Sequence, residues 1–173
     1  MKIYVGVTDY KWFKFLRDLS LQPPSTASLK DSSGLGEVNF WQPSPAAQFR
    51  AIGEGDLFLF KLHRQQASGE DLIAGGVVFY RYLELPVSLA WETFGMENGC
   101  RSYAELSQAI LQYRPSRSTT RAEDFKIGCI VLTQPFFLDQ ADWFPLPGWS
   151  TSIVRGKTYS LDSQDGQYLW QKV

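Results

Sequence analysis

Histidine is nearly missing from this chain: among 173 residues there is one, His63. That excludes a histidine-rich metal centre. It also argues against a ββα-metal nuclease site within these residues, because such a site normally uses more than one histidine. A Ser-His-Asp or Cys-His site would have to use His63 itself, and no GxSxG elbow accompanies it. Cysteine is almost as rare. Cys100 and Cys129 stand far apart and outside any CxxC pair, so zinc is not expected, and both read as reduced, partly buried thiols. Glycine-rich phosphate loops are absent too. "GLGEVNF" and "GEGDLFLF" hold two glycines each and lead into strands, unlike a P-loop or a dinucleotide fingerprint. No cofactor is expected. There is no run of about 18 apolar residues to span a membrane. "MKIYVGVTDY" lacks the apolar core and cleavage pattern of a signal peptide, so a cytoplasmic location is expected. Charge of one sign is lacking as well: 17 basic against 18 acidic residues give a net charge of −1. Global electrostatics do not announce a nucleic-acid binder, although a local basic face remains open.

Aromatic residues are plentiful, at 15% of the chain, with six Trp, eight Tyr and twelve Phe. Such rings bury large areas, and their faces stack on bases. The chain is 44% hydrophobic, enough for a core without disulfides or metal, and its length fits one domain over residues 1–173.

The apolar pattern gives an uneven series of elements. "KIYVGV" (2–7) reads as a central strand. In "TDYKWFKFLRDL", Thr8 or Asp9 caps a helix whose apolar residues Trp12, Phe13, Leu16 and Leu19 share a face, with Lys11, Lys14 and Arg17 on the other. Residues 20–36 are rich in Ser, Pro and Gly and read as a flexible insert. "DLFLFKLH" (56–63) and "LIAGGVVFYRYLEL" (72–85) are strands, and Gly75 and Gly76 suggest a bulge or a close backbone approach. Pro86 opens a short helix that Gly95 closes. "SYAELSQAILQY" carries a capping box in Ser102 and Glu105. "RPSRSTTRAED" reads as a polar, basic loop. A strand from Lys126, an irregular "DWFPLPGWS", a last strand "GKTYSL" and a helix beginning in "GQYLWQKV" complete the chain. Strands and helices do not alternate regularly, which predicts α+β with a curved mixed sheet.

Few residues look chemical. Glu70/Asp71 and Glu123/Asp124 fall in polar loops, where solvation accounts for them. What remains is aromatic, amide and basic. In "VNFWQPSP", Asn39 and Trp41 precede two prolines that bar a central strand from continuing. Asn39 reads either as a turn residue or as a group that meets a base edge. Trp41 reads either as a core indole or as a stacking wall. Tyr10, Trp12 and Trp91 are the other candidates for an aromatic pocket, each with a core reading beside it. Lys11, Lys14, Arg50, Lys61, His63, Arg114, Arg117 and Arg121 are the candidate phosphate contacts.

"VNFW…FRAIGEGDLFLFKLH…LIAGGVVF" resembles the middle of PUA-like domains, the group that includes EVE, YTH and ASCH modules. Asn39, Arg50, Gly55-Asp56, Leu57 to Phe60 and Ile73-Ala74-Gly75 carry the match. "VGVTDYKWFKFL", "LPVSLAWETFG", "IGCIVLTQPFF" and "IVRGKTYSL" are similar to the N-terminal region of bacterial HNH-type restriction endonucleases. The resemblance implies a curved mixed sheet or small β-barrel flanked by helices. It implies a noncatalytic reader of modified bases in DNA, with the HNH nuclease beyond Val173. An RNA-binding PUA-like module and a module binding a nucleotide-like small molecule are the alternative readings.

Overall fold

The structure is a computed structural model, and it describes residues 1–22, 35–45, 48–64, 69–114 and 125–173. The predicted loop residues 23–34 and 115–124, and 65–68 of the hairpin connection, lie outside the described residues.

Seven strands form one sheet in the order β2-β5-β4-β3-β1-β7, with β6 on β4. They are β1 (Lys2–Thr8), β2 (Glu37–Gln42), β3 (Leu57–Leu62), β4 (Leu72–Pro86), β5 (Lys126–Phe137), β6 (Phe144–Pro145) and β7 (Gly156–Ser160). The helices are α1 (Tyr10–Ser20), α2 (Val87–Phe94), α3 (Tyr103–Gln112) and α4 (Gln164–Lys172). The fold is the expected α+β curved mixed sheet. It does not close into a barrel, since β2 and β7 stand at the two ends of the strand order. β1 and β3 run parallel, while β1–β7, β2–β5, β3–β4, β4–β5 and β4–β6 are antiparallel.

Strand alternation sorts the side chains into three cores. Val38 and Phe40 of β2, Phe58 and Phe60 of β3, and Ile130 and Leu132 of β5 face inward, onto Trp12, Phe13 and Leu16 of α1. Curvature brings distant strands together inside: the rings of Phe40 and Phe58 lie 5.0 Å apart although β5 and β4 separate their strands. The outer face is divided. One half holds Ile3, Val5, Leu57 and Leu59 with Phe144, Trp149 and Leu169 of α4. The other holds Ile127, Cys129 and Val131 under Val87, Ala90, Leu106 and Ile110 of α2 and α3.

The local signals explain the ends of the elements. Asp9 accepts a hydrogen bond from the Trp12 amide at 3.0 Å and starts α1. Ser102 accepts from the Glu105 amide at 3.2 Å, and the Glu105 carboxylate turns back to the amide of Arg101, one residue earlier than an ideal capping box. Gly95, at φ +51°, closes α2. Both readings of the β4 glycines hold. Pairing with β3 shifts between Phe60 and Lys61, and a Cβ on Gly75 would strike the carbonyl oxygen of Phe136.

A cleft at the carboxyl ends of the parallel strands

Because β1 and β3 are parallel and adjacent, their carboxyl ends open at the same side of the sheet. The N-terminus of α1 begins there, and the loop after Trp149 runs alongside it, joined to Val7 through the Arg155 carbonyl. Together they leave a cleft of about 550 Å³ lined by Val7, Asp9, Lys61, His63, Arg64 and Asp71, and by Trp149, Thr151, Ile153 and Val154 of that loop.

The centre of the cleft is a cation that the strand pattern forces inside. All six residues of β3 are buried, Lys61 among them at 4% exposure. A buried ammonium is unfavourable without a counter-ion. The carboxylate of Asp71 supplies it, with Lys61 Nζ 2.7 Å from Asp71 Oδ1. Lys61 Nζ also lies 5.2 Å from the centre of the Trp149 ring, a cation–π distance. The other oxygen of Asp71 accepts hydrogen bonds from Arg64 Nε at 2.8 Å and Nη2 at 2.5 Å. The Arg64 bonds, helped by Lys61, hold the Asp71 carboxyl below its usual range against the opposing effect of burial. Asp71 is thus one buried acid bridging two cations, and its assignment to solvent in the sequence reading is corrected. His63 and Arg64 stand exposed at the rim.

Of the candidate site residues, the fold brings Lys61 and His63 together here and disperses the others. Asn39 and Trp41 occupy alternate positions on β2 with Val38 and Phe40, and therefore turn to the outer face under α2. Asn39 has no exposed surface. Its amide donates to Asn98 Oδ1 at 2.9 Å and to Cys129 Sγ at 3.4 Å. Trp41 Nε1 donates to the Asn98 carbonyl at 3.1 Å, and Asn98 in turn donates to the carbonyls of Ala90 and Gly95. The pair ties β2 to the turn after α2; Asn39 does not stand at the floor of an open slot. Trp91 packs on the same core, half-buried. Trp12 is a core indole lying edge-on to Phe40 and Phe60, with Tyr10 against the same cluster.

The basic candidates scatter likewise. Lys11 and Lys14 are exposed on α1, and Lys14 pairs with Asp18 at 2.5 Å. Arg50 bonds to Gln48, which reaches Glu84 at the opposite end of the sheet. Arg114 lies half-buried with its guanidinium 4.1 Å from the centre of the Phe125 ring. Arg117 and Arg121 lie outside the described residues. Asp9, Arg64, Asp71 and Trp149 were not anticipated. One signal was available: a lysine in an otherwise wholly apolar strand, "LFLFKL", requires a carboxylate nearby, and "GED" directly precedes the returning strand.

Among the described residues no group of three or more His, Cys, Asp or Glu side chains is placed to hold a metal ion. No described helix is long and apolar enough to cross a membrane.

No family model and no curated protein matches the sequence. Solved structures do match. A tyrosine-to-phenylalanine variant of ZmASCH from Zymomonas mobilis superposes with a TM-score of 0.52 at 12% identity, over 99% of this chain and 98% of that one. A serine-to-alanine variant of the same protein gives 0.54 at 11% identity, over 98% and 94%. At such identity the likeness speaks for architecture alone, and in architecture this chain has the ASCH, PUA-like fold.

Proposed function

We propose that the cleft captures a single nucleobase with its neighbouring phosphate, and that the domain reads nucleic acid through it. In its specific form the proposal is a reader of modified bases in DNA, serving an HNH-type nuclease domain beyond Val173. The supporting observation is the lining of the cleft. Val7, Ile153 and Val154 give it apolar walls, Lys61 and Arg64 two cations, and Asp9 and Asp71 two carboxylates. A polyphosphate site would carry an excess of positive charge. This balanced set suits a base whose amino group donates to a carboxylate while its phosphate meets Arg64 or His63 at the rim. The volume lies within the roughly 300–1,000 Å³ of small-ligand sites. Drawing a base from a duplex costs a few kcal/mol. Desolvation of the base and hydrogen bonds to its edge must offset that cost. Asn39 and Trp41 lie on the other half of the outer face and take no part in this capture, which relies on carboxylates and cations instead of an amide and an indole. The domain has no catalytic role in this reading.

The test is filter binding with short duplexes, plain or carrying 5-methylcytosine, 5-hydroxymethylcytosine or N6-methyladenine, and with single-stranded RNA, over a salt series. The expected result is preferential retention of one modified duplex, with log affinity falling linearly as log salt rises. Retention of RNA alone would assign the cleft to RNA. Large thermal shifts with free modified nucleosides, without polymer binding, would assign it to a small molecule. If nothing is retained even at low salt, the nucleic-acid reading is wrong.

A further inference from the structure

The loop that lines the cleft carries a feature that binding one nucleotide does not need. Val154 is 79% exposed, the most exposed large hydrophobic side chain among the described residues, and it lies on the lining of the cleft. An isolated apolar residue on a surface is ordinary. This one is held out on a constrained support. Trp149 is buried in the second core and Ile153 packs against it. Between them the Oγ atoms of Ser150 and Ser152 lie 2.7 Å apart, and the Ile153 amide donates to the Ser150 carbonyl at 3.1 Å. On the far side the Val7 amide donates to the Arg155 carbonyl at 2.8 Å, which pins the loop to the end of β1. Val154 therefore projects from a turn fixed at both feet, with the exposed Arg155 as its neighbour.

Resting on the proposed reading of the cleft, we infer that Val154 is a wedge: it enters a duplex beside the target nucleotide and fills the gap left when that base moves into the cleft. An extruded base leaves two unstacked neighbours, and an apolar side chain between them excludes water from the void. Capture site and wedge must then share one opening, and Val154 lies on the lining of the same cleft as Lys61.

The experiment compares the wild-type chain with Val154→Ala on three forms of whichever sequence it retains best: the paired duplex, the same duplex with a mismatch at the target, and the single strand. A wedge contributes only where stacking must be broken. Val154→Ala is expected to weaken binding to the paired duplex by about tenfold. Binding to the mismatched duplex and the single strand should change by less than about twofold. With 2-aminopurine as the neighbour of the target, wild-type binding should raise fluorescence on the paired duplex, and the variant should raise it less. An equal loss on all three forms would make Val154 an ordinary contact, and no loss on any would remove its role; either overturns the wedge while the capture reading stands. Binding of the wild type to single strands alone does the same. Failure of the wild type to bind any form would overturn both.

Discussion

Two polar clusters lie on the outer face of this sheet, and they are built to opposite ends. Under α2, Asn39, Asn98, Trp41 and Cys129 form a neutral knot with its amide and indole donors engaged inside the protein. At the carboxyl ends of β1 and β3, Lys61, Asp71 and Arg64 form a charged set that opens to solvent through Arg64. The first holds a strand to a turn. The second holds charge beside water, which is what a ligand site requires. The difference shows that residue type does not decide between glue and site. An amide and an indole become glue when helices cover them, and in the proposed reading a lysine becomes a site residue because the strand burying it ends at a cleft.

Breaking the sealed cluster should cost the most stability. Asn98→Ala removes the side-chain donor to the carbonyls of Ala90 and Gly95 and leaves the Asn39 amide with Cys129 Sγ alone. Unfolding in urea is expected to show a loss of about 2–4 kcal/mol, the size usual for breaking a buried hydrogen-bond network. Nucleic-acid affinity of the folded fraction should not change; a changed affinity would mean that the clusters are coupled. Lys61→Met comes next. It leaves Asp71 with Arg64 alone and should cost about 1–3 kcal/mol. It should also weaken binding at least tenfold, unlike Asn98→Ala.

The third contrast is with pH. The Asp71 carboxyl is held down chiefly by Arg64, so its ionised form favours the folded state. That stabilisation is present above the carboxyl's unfolded value, near pH 4, and is lost as pH falls through the lower folded value. The stability gap between wild type and Asp71→Asn should therefore be constant at neutral pH and shrink in acid, as followed by urea midpoints from pH 7 to 2. A gap independent of pH would mean that the charge of Asp71 is not what stabilises. The smallest effect concerns the cysteines. Burial pushes the Cys129 and Cys100 thiols up to about 11, so both are protonated at pH 8. Alkylation at that pH should be much slower than for a free thiol and should reach its ordinary rate in urea.

The elements were legible because their signals are local. Asp9 and Ser102 cap α1 and α3, Gly95 ends α2, and the apolar runs of β3, β4 and β5 appear where period and composition place them. The site was legible only in part, because a side chain's neighbours depend on strand order, and strand order is a long-range property. Nothing near Asn39 in the sequence announces Asn98, which meets it across 59 residues. The alternation of "VNFW" does assign Phe40 and Trp41 to opposite faces, but not which face is covered. Lys61 and His63 were identified as contacts. Asp71, the counter-ion of Lys61, was not, since a polar hairpin reads as solvated until its return strand is placed beside β3.

The sheet stops short of closing, and this bears on how the molecule keeps to itself. A terminal strand exposes a row of amides and carbonyls that another chain can extend into fibres. Pro43 and Pro45, just past the end of β2, end that row, because proline brings no amide hydrogen and cannot prolong the ladder. The two prolines thus set the length of ladder that a further strand could find at this margin of the sheet.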